Sequence, residues 1–229
     1  MKRINYKSSA VLIIISILIA SVMVFSIGCA KKEVKEVKIG TISPLTGAAA
    51  SYGEKMTRAI DLAVQEVNDK GGINGKKVVV IHEDDKLEAK DGVTAFKKLT
   101  SIDKVSAVIG AVGSSVTLAI SPVAESSKIP LITPISSAVS ISKAGDFIFR
   151  ICPSDAIQGV IISKWIKEKG FNNIAILCIN NDYGTGLKDR FKEEFTKLGF
   201  VESFMKLGMS EIVQRLVDTE ARRDMPETT

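Results

Sequence analysis

The sequence predicts an α/β protein, a doubly wound parallel sheet with helices on both faces, arranged in two lobes of which the second is incomplete. Three observations carry this reading. Short apolar runs alternate with amphipathic stretches from Val37 onward. Glycines and prolines mark the joins. The cycle then restarts around Pro153-Ser154-Asp155. Strands alternating with helices imply a parallel sheet covered on both faces. Right-handed crossovers make it doubly wound.

The elements follow in order. Val37 to Ile42 reads as a strand. Glu54 to Lys70 reads as a helix, with Met56, Ala59, Ile60, Ala63, Val64 and Val67 at helical spacing. Gly71-Gly72 ends it, because glycine accepts left-handed backbone. Lys77 to His82 is a strand, Leu87 to Thr100 a helix and Val105 to Ile109 a strand. Ser114 to Ser127 is a helix. Leu131 to Thr133 is a short strand between Pro130 and Pro134, and Phe147 to Ile151 is another. In the second cycle, Ala156 to Lys169 is a helix, Ile174 to Ile179 a strand and Gly184 to Leu198 a helix.

The first residues read as an export leader. Lys2, Arg3 and Lys7 precede an apolar run from Ala10 to Gly28, which ends at Ser26-Ile27-Gly28-Cys29. A basic start, an apolar middle and a small residue before the cut are signal-peptide features. Cys29 after Gly28 resembles a bacterial lipobox, which expects lipid on Cys29; Ser26 stands where that pattern prefers Leu. The run is also about long enough to span a bilayer as a retained anchor. Either way the rest lies outside the cytoplasm. The expected divisions are a signal peptide at 1–28, a charged tether at 29–36, a first lobe at 37–152, a partial second lobe at 153–204 and an irregular tail at 205–229. The strand-and-turn pattern fades after Val201, so the tail is read as out of frame or the chain as truncated.

Charge excludes little but points away from nucleic acid. The formal charge is +5, and three of those positives sit in a leader without acids, leaving 5 − 3 = +2. Cys152 and Cys178 lie in different segments and are read as free thiols.

In open parallel sheets, ligands bind beyond the carboxyl ends of the strands. The loops there are Ser43 to Gly53 with Tyr52, Gly110 to Ser115, and Pro134 to Ser137. The last two bring serines to a helix start and a turn, where free amides and hydroxyls can face a carboxylate. Ser114 also suits a plain N-cap, and Ser136 and Ser137 suit a turn. Enzyme patterns are missing from the sequence. No glycine fingerprint follows the first strand, and there is no phosphate-binding loop and no nucleophile elbow. His82 is the single histidine and is read as structural. No cofactor or metal is expected.

Several segments carry a family resemblance: Ile39-Gly40-Thr41-Ile42-Ser43-Pro44-Leu45-Thr46-Gly47 with Tyr52-Gly53, Glu66 to Gly75, Val108-Ile109-Gly110 with Ser114-Ser115, Ile129 to Pro134, and Asp182-Tyr183-Gly184-Thr185-Gly186. In this order, over about 37–200, they resemble the leucine/isoleucine/valine-binding family of ABC-transporter substrate-binding proteins. The resemblance implies a two-lobed clamp of the type I periplasmic-binding fold that closes on an amino acid and presents it to a membrane permease. It implies that Ser114 and Ser137 hold the ligand carboxylate through their hydroxyls. Gly113 and Ser136 would contribute backbone contacts, and Tyr52 and Tyr183 would line the cleft. Ser137 stands where the family usually has Thr. The expected product is an exported lipoprotein at the outer face of the cell membrane or in the periplasm. A receptor's ligand-sensing module and a non-functional remnant remain alternatives, and an enzyme comes last.

Overall fold

The structure, a computed structural model, describes residues 36–171, 174 and 176–199. The leader, Cys29, the tether before Glu36 and the tail at 205–229 lie outside the described residues.

Five strands form one sheet: β1 (Glu36–Ser43), β2 (Lys77–Asp84), β3 (Ala107–Ile109), β4 (Leu131–Thr133) and β5 (Ile148–Arg150). Their order is β2-β1-β3-β4-β5 and every pairing is parallel. The helices are α1 (Ala50–Asp69), α2 (Ala89–Ser101), α3 (Ser114–Ser127), α4 (Asp155–Glu168) and α5 (Asp182–Lys197). A 3-10 turn at Val139–Lys143, not foreseen in the sequence, bridges β4 and β5.

Strand order dictates where each helix lies. From β1 to β2 the chain steps one way; from β2 to β3 and β3 to β4 it steps the other. Right-handed crossovers therefore put α1 on one face and α2 and α3 on the opposite one. Adjacent residues of β1 record this. Ile42 joins Phe96, Leu99, Val108, Val116, Ile120 and Leu131 in the core beneath α2 and α3. Thr41 points the other way, and its hydroxyl meets His82 Nδ1 at 2.7 Å, while His82 Nε2 meets Asp61 of α1 at 3.0 Å.

Close approaches fix the layers. A Cβ on Gly40 would lie 2.7 Å from Leu99 Cδ1, so the missing side chain lets α2 seat on β1. At Gly53 a Cβ would fall 2.1 Å from the Pro44 carbonyl oxygen, so α1 can cross the β1 loop only with glycine there. The α1 end matches the sequence: Gly71 and Gly72 both have positive φ. Asn68 then ties the helix end to β2, accepting from Val78 N–H at 2.8 Å and donating to Val78 O at 2.9 Å.

α4 and α5 pack against one another. Gly159 abuts Arg190 and Phe191, and the Ser163 hydroxyl reaches Phe191 O at 3.2 Å. Phe191 and Phe195 stack with centroids 5.4 Å apart. The strand expected at Ile174 to Ile179 does not form at 176–179. A strand exists through its hydrogen-bonded neighbour, and no described strand lies beside this segment. Its apolar residues instead border a cavity of about 410 Å³ against α5.

Candidate functional site

The sheet reverses its order between β1 and β3, so the loops leaving those strands diverge and open a crevice at their carboxyl ends. The β1 loop runs through Pro44, Leu45 and Thr46 toward Tyr52 in the first turn of α1. Asp84 holds this loop. Its Oδ1 accepts from Leu45 N–H at 2.8 Å, Thr46 N–H at 3.4 Å and Lys86 N–H at 2.9 Å, and its Oδ2 accepts from the Thr46 hydroxyl at 2.5 Å. Burial pushes the Asp84 carboxyl upward, but these bonds together hold it below the usual value.

Across the crevice stands the N-terminus of α3. Gly113 is the capping residue, with extended backbone, and no side chain caps the helix. The amides of its first turn therefore lack an intrahelical partner. Ser114 is the first helical residue rather than the cap, which corrects the capping reading of that serine. It is 4% exposed. Its hydroxyl oxygen accepts from Ala138 N–H at 3.3 Å, leaving its own proton available to an anion.

The β4 loop supplies the third wall. Ser137 is half-buried, with its side chain beside the Asp155 carboxylate at the start of α4. Its carbonyl accepts from Asp155 N–H at 2.9 Å and from Arg150 Nη1 at 3.3 Å. Arg150 also donates to Ala138 O at 2.9 Å and to the Ser142 hydroxyl at 2.8 Å. Asp155 is buried, and one of its oxygens has no partner. Burial raises its pKa, opposed by the Ser137 side chain and the Arg150 charge.

Ser136 has its backbone groups engaged within the protein. Its N–H is engaged by Thr133 Oγ1 at 3.0 Å and its carbonyl faces Cys152 Sγ at 3.4 Å. The N–H thus serves the loop after β4, and the carbonyl meets the thiol that follows β5.

The two tyrosines sit apart. Tyr52, 58% exposed, borders a cavity of about 510 Å³ with Ile109, Pro134, Ile135 and Ile151. Tyr183, 39% exposed, borders the cavity beside α5. The α5 N-terminus does reach the α3 N-terminus: Asp182 N–H donates to the Ser115 hydroxyl at 3.3 Å. Ser115, Thr117, Arg150 and Asp155 were not singled out from the sequence. Asp155 follows Ser154, which caps α4 by accepting from Ala156 N–H at 3.3 Å.

Among the described residues one series resembles a catalytic relay. The Thr41–His82–Asp61 series has the residue types of a proton relay, but Thr41 is fully buried within β1, where no substrate reaches it. Among the described residues no cluster of His, Cys, Asp and Glu could hold a metal. Cys152 and Cys178 are free. Among the described residues no helix is long and apolar enough to cross a membrane.

Comparison with known proteins accords with this arrangement. The profile of the family "Periplasmic binding protein" matches residues 36–211. The Leu/Ile/Val-binding protein BraC3 of Rhizobium johnstonii is 34% identical over 187 residues, covering 80% of this chain and 50% of that protein. The branched-chain amino acid transporter substrate binding protein LivJ of Streptococcus pneumoniae, solved with isoleucine, is 33% identical with a TM-score of 0.66, covering 70% of this chain and 47% of that one. A solute binding protein of an ABC transporter from Rhodopseudomonas palustris, solved with 3,4-dihydroxybenzoic acid, is 28% identical with a TM-score of 0.70, over 81% of this chain and 52% of that one. The chain spans about half the length of the curated relatives it matches. By sequence and by fold, the chain belongs to the periplasmic binding protein family, alongside the leucine/isoleucine/valine-binding proteins.

Proposed function

We propose that this chain is an exported solute-binding protein that captures a branched-chain amino acid and delivers it to an ABC-type permease, tethered to the membrane by lipid on Cys29. The observation that carries the reading is the uncapped N-terminus of α3 at the reversal of strand order, with the Ser114 hydroxyl beside it. Helix N-termini favour anions through their free amides and dipole. The ligand carboxylate sits there, against Gly113 and Ser114. Ser137 and Tyr52 would contribute from the loops after β4 and β1, and Tyr183 would approach from α5 only when the two parts of the clamp close. Residues 37–152 form the first lobe of the clamp, and the chain from 153 begins the second.

A second reading concerns the ligand. One relative is solved with a dihydroxybenzoate and another with isoleucine. Both molecules carry a carboxylate, so the same anion site serves either, and the side-chain pocket decides between them. Calorimetric titration of the full chain with L-leucine, L-isoleucine and 3,4-dihydroxybenzoate separates the two. Saturable heat with the amino acids alone upholds the branched-chain assignment. Heat with the benzoate alone replaces it, and silence with all three refutes carboxylate capture. For the anchor, metabolic labelling with a radioactive fatty acid should mark the protein and fail on Cys29→Ala; equal label in both would dismiss Cys29.

A further inference from the structure

The loops after β3 and β4 are joined by a closed ring of buried hydrogen bonds, and its direction can be worked out. Ala111 N–H donates to Thr117 Oγ1 at 3.2 Å. Thr117 Oγ1 and Ser136 Oγ lie 2.8 Å apart. Ser136 Oγ also lies 2.9 Å from Ala111 O and 3.1 Å from Val112 O, and carbonyls can only accept. The one Ser136 proton therefore goes to those carbonyls, and the Thr117 hydroxyl must donate to Ser136. The ring starts at the Ala111 amide and returns to the Ala111 carbonyl.

Thr133 closes the same knot from β4. Its hydroxyl donates to Ala111 O at 2.8 Å and accepts from Ser136 N–H at 3.0 Å. Thr117, Thr133 and Ser136 are all buried, and none of their side-chain oxygens lacks a partner. A satisfied polar network of this kind holds one arrangement, because any displacement strands a buried donor or acceptor. Ala111 and Val112 lead directly into Gly113 and Ser114, and Ser136 leads directly into Ser137.

We propose that Thr117 is a positioning residue for the anion site: it touches no ligand, yet through this ring it fixes the distance between the α3 N-terminus and Ser137. The inference rests on the carboxylate-capture reading for its consequence in binding, while the coupling of the two loops stands on the ring alone. Its proton is needed by Ser136 and its lone pair by Ala111, so a residue of the same shape without a hydroxyl breaks the ring on both sides. Thr117→Val is that change, and Thr117→Ser restores the hydroxyl.

The test is hydrogen exchange on the ligand-free full chain together with calorimetric titration by L-leucine. In Thr117→Val the amides of Ala111, Ser136 and Ala138 should lose protection together. Leucine affinity should fall about tenfold or more, as expected when a buried donor and acceptor are orphaned. Thr117→Ser should keep both properties. A purely structural role would lower the melting temperature but leave the affinity of the folded protein and the local exchange pattern unchanged, and that result overturns the proposal. Should Thr117→Val not fold, Ser136→Ala opens the ring from the other loop and carries the same expectation. If the unaltered chain shows no leucine heat, the capture reading fails by itself, and exchange decides the ring: joint loss of protection in both loops upholds it, and loss at Ala111 alone overturns it.

Discussion

Ser114 accepts from Ala138 N–H and has a proton left to give, in a wall where the helix amides point the same way. Ser114→Ala should weaken leucine binding by about 1.5–3 kcal/mol, the value of a hydrogen bond to a charged group. Calorimetry reads this directly, and unchanged affinity would remove Ser114 from the site. Asp85 makes a different kind of statement. It is fully buried at the end of β2, one oxygen accepts from Leu87 N–H at 2.9 Å, and the other has no partner. Burial raises its pKa from 3.8 to about 6, with Asp84 and Asp91 adding to the rise against the Leu87 bond. Below the unfolded value the carboxyl is neutral in both states and folding bears no penalty. As pH rises from about 4 to about 6, the unfolded chain ionises first and the folded state becomes relatively less stable. Asp85→Asn keeps the acceptor for Leu87 and removes the charge. Its stability relative to the parent should therefore improve from pH 4 to pH 7, by up to about 3 kcal/mol. Urea unfolding at the two pH values measures it; a difference that stays constant would show that the carboxyl is not held neutral by burial. Neither property could be read from residue types alone. Ser114 looks like a helix cap until backbone geometry gives that role to Gly113, and residue type alone does not tell the buried Asp85 from the neighbouring Asp84.

Asp84 belongs to the scale of elements, because one carboxylate joins the end of β2 to the loop that follows β1. Asp84→Ala should free the amides of Leu45 and Thr46. It should cost about 1–3 kcal/mol in stability, the cost of losing hydrogen bonds to a charged acceptor. Faster hydrogen exchange confined to the amides of Leu45, Thr46 and Lys86 is the expected signature, and unchanged exchange there would show that the loop is held by something else. Elements were the level best expressed in the sequence. The helix predicted over Ser114 to Ser127 and the strand over Leu131 to Thr133 match the observed bounds, because a strand flanked by prolines and a helix following glycine have sharp local signals. The 3-10 turn at Val139–Lys143 had no such signal; it alternates small polar and apolar residues, and Arg150 pins the preceding carbonyls from a distance. The segment at 176–179 failed for the opposite reason. Its composition favours a strand, but pairing is a property of two segments, and no described strand is placed beside it.

At the scale of the molecule, strand order does the organising. The reversal between β1 and β3 sends α1 to one face and α2 and α3 to the other, and that divergence opens the crevice. The sequence expressed this coarse geometry through its alternation of runs, and Gly113, Ser114 and Ser137 lie, as read from it, after β3 and β4. It could not express the hydroxyl ring that locks those loops together, since Thr117 reads as one polar residue in a helix. Contact from α5 to α3 through Ser115 and Asp182 brings the later part of the chain against the site. The central claim is that a carboxylate seats at the α3 N-terminus. Parallel calorimetric titrations with L-leucine and L-leucinamide test it most directly, since the amide keeps the side chain and amine and removes the negative charge. The account predicts saturable binding of leucine and affinity for leucinamide lower by about tenfold or more, as loss of a charge-assisted bond requires. Equal affinity for the two would contradict it.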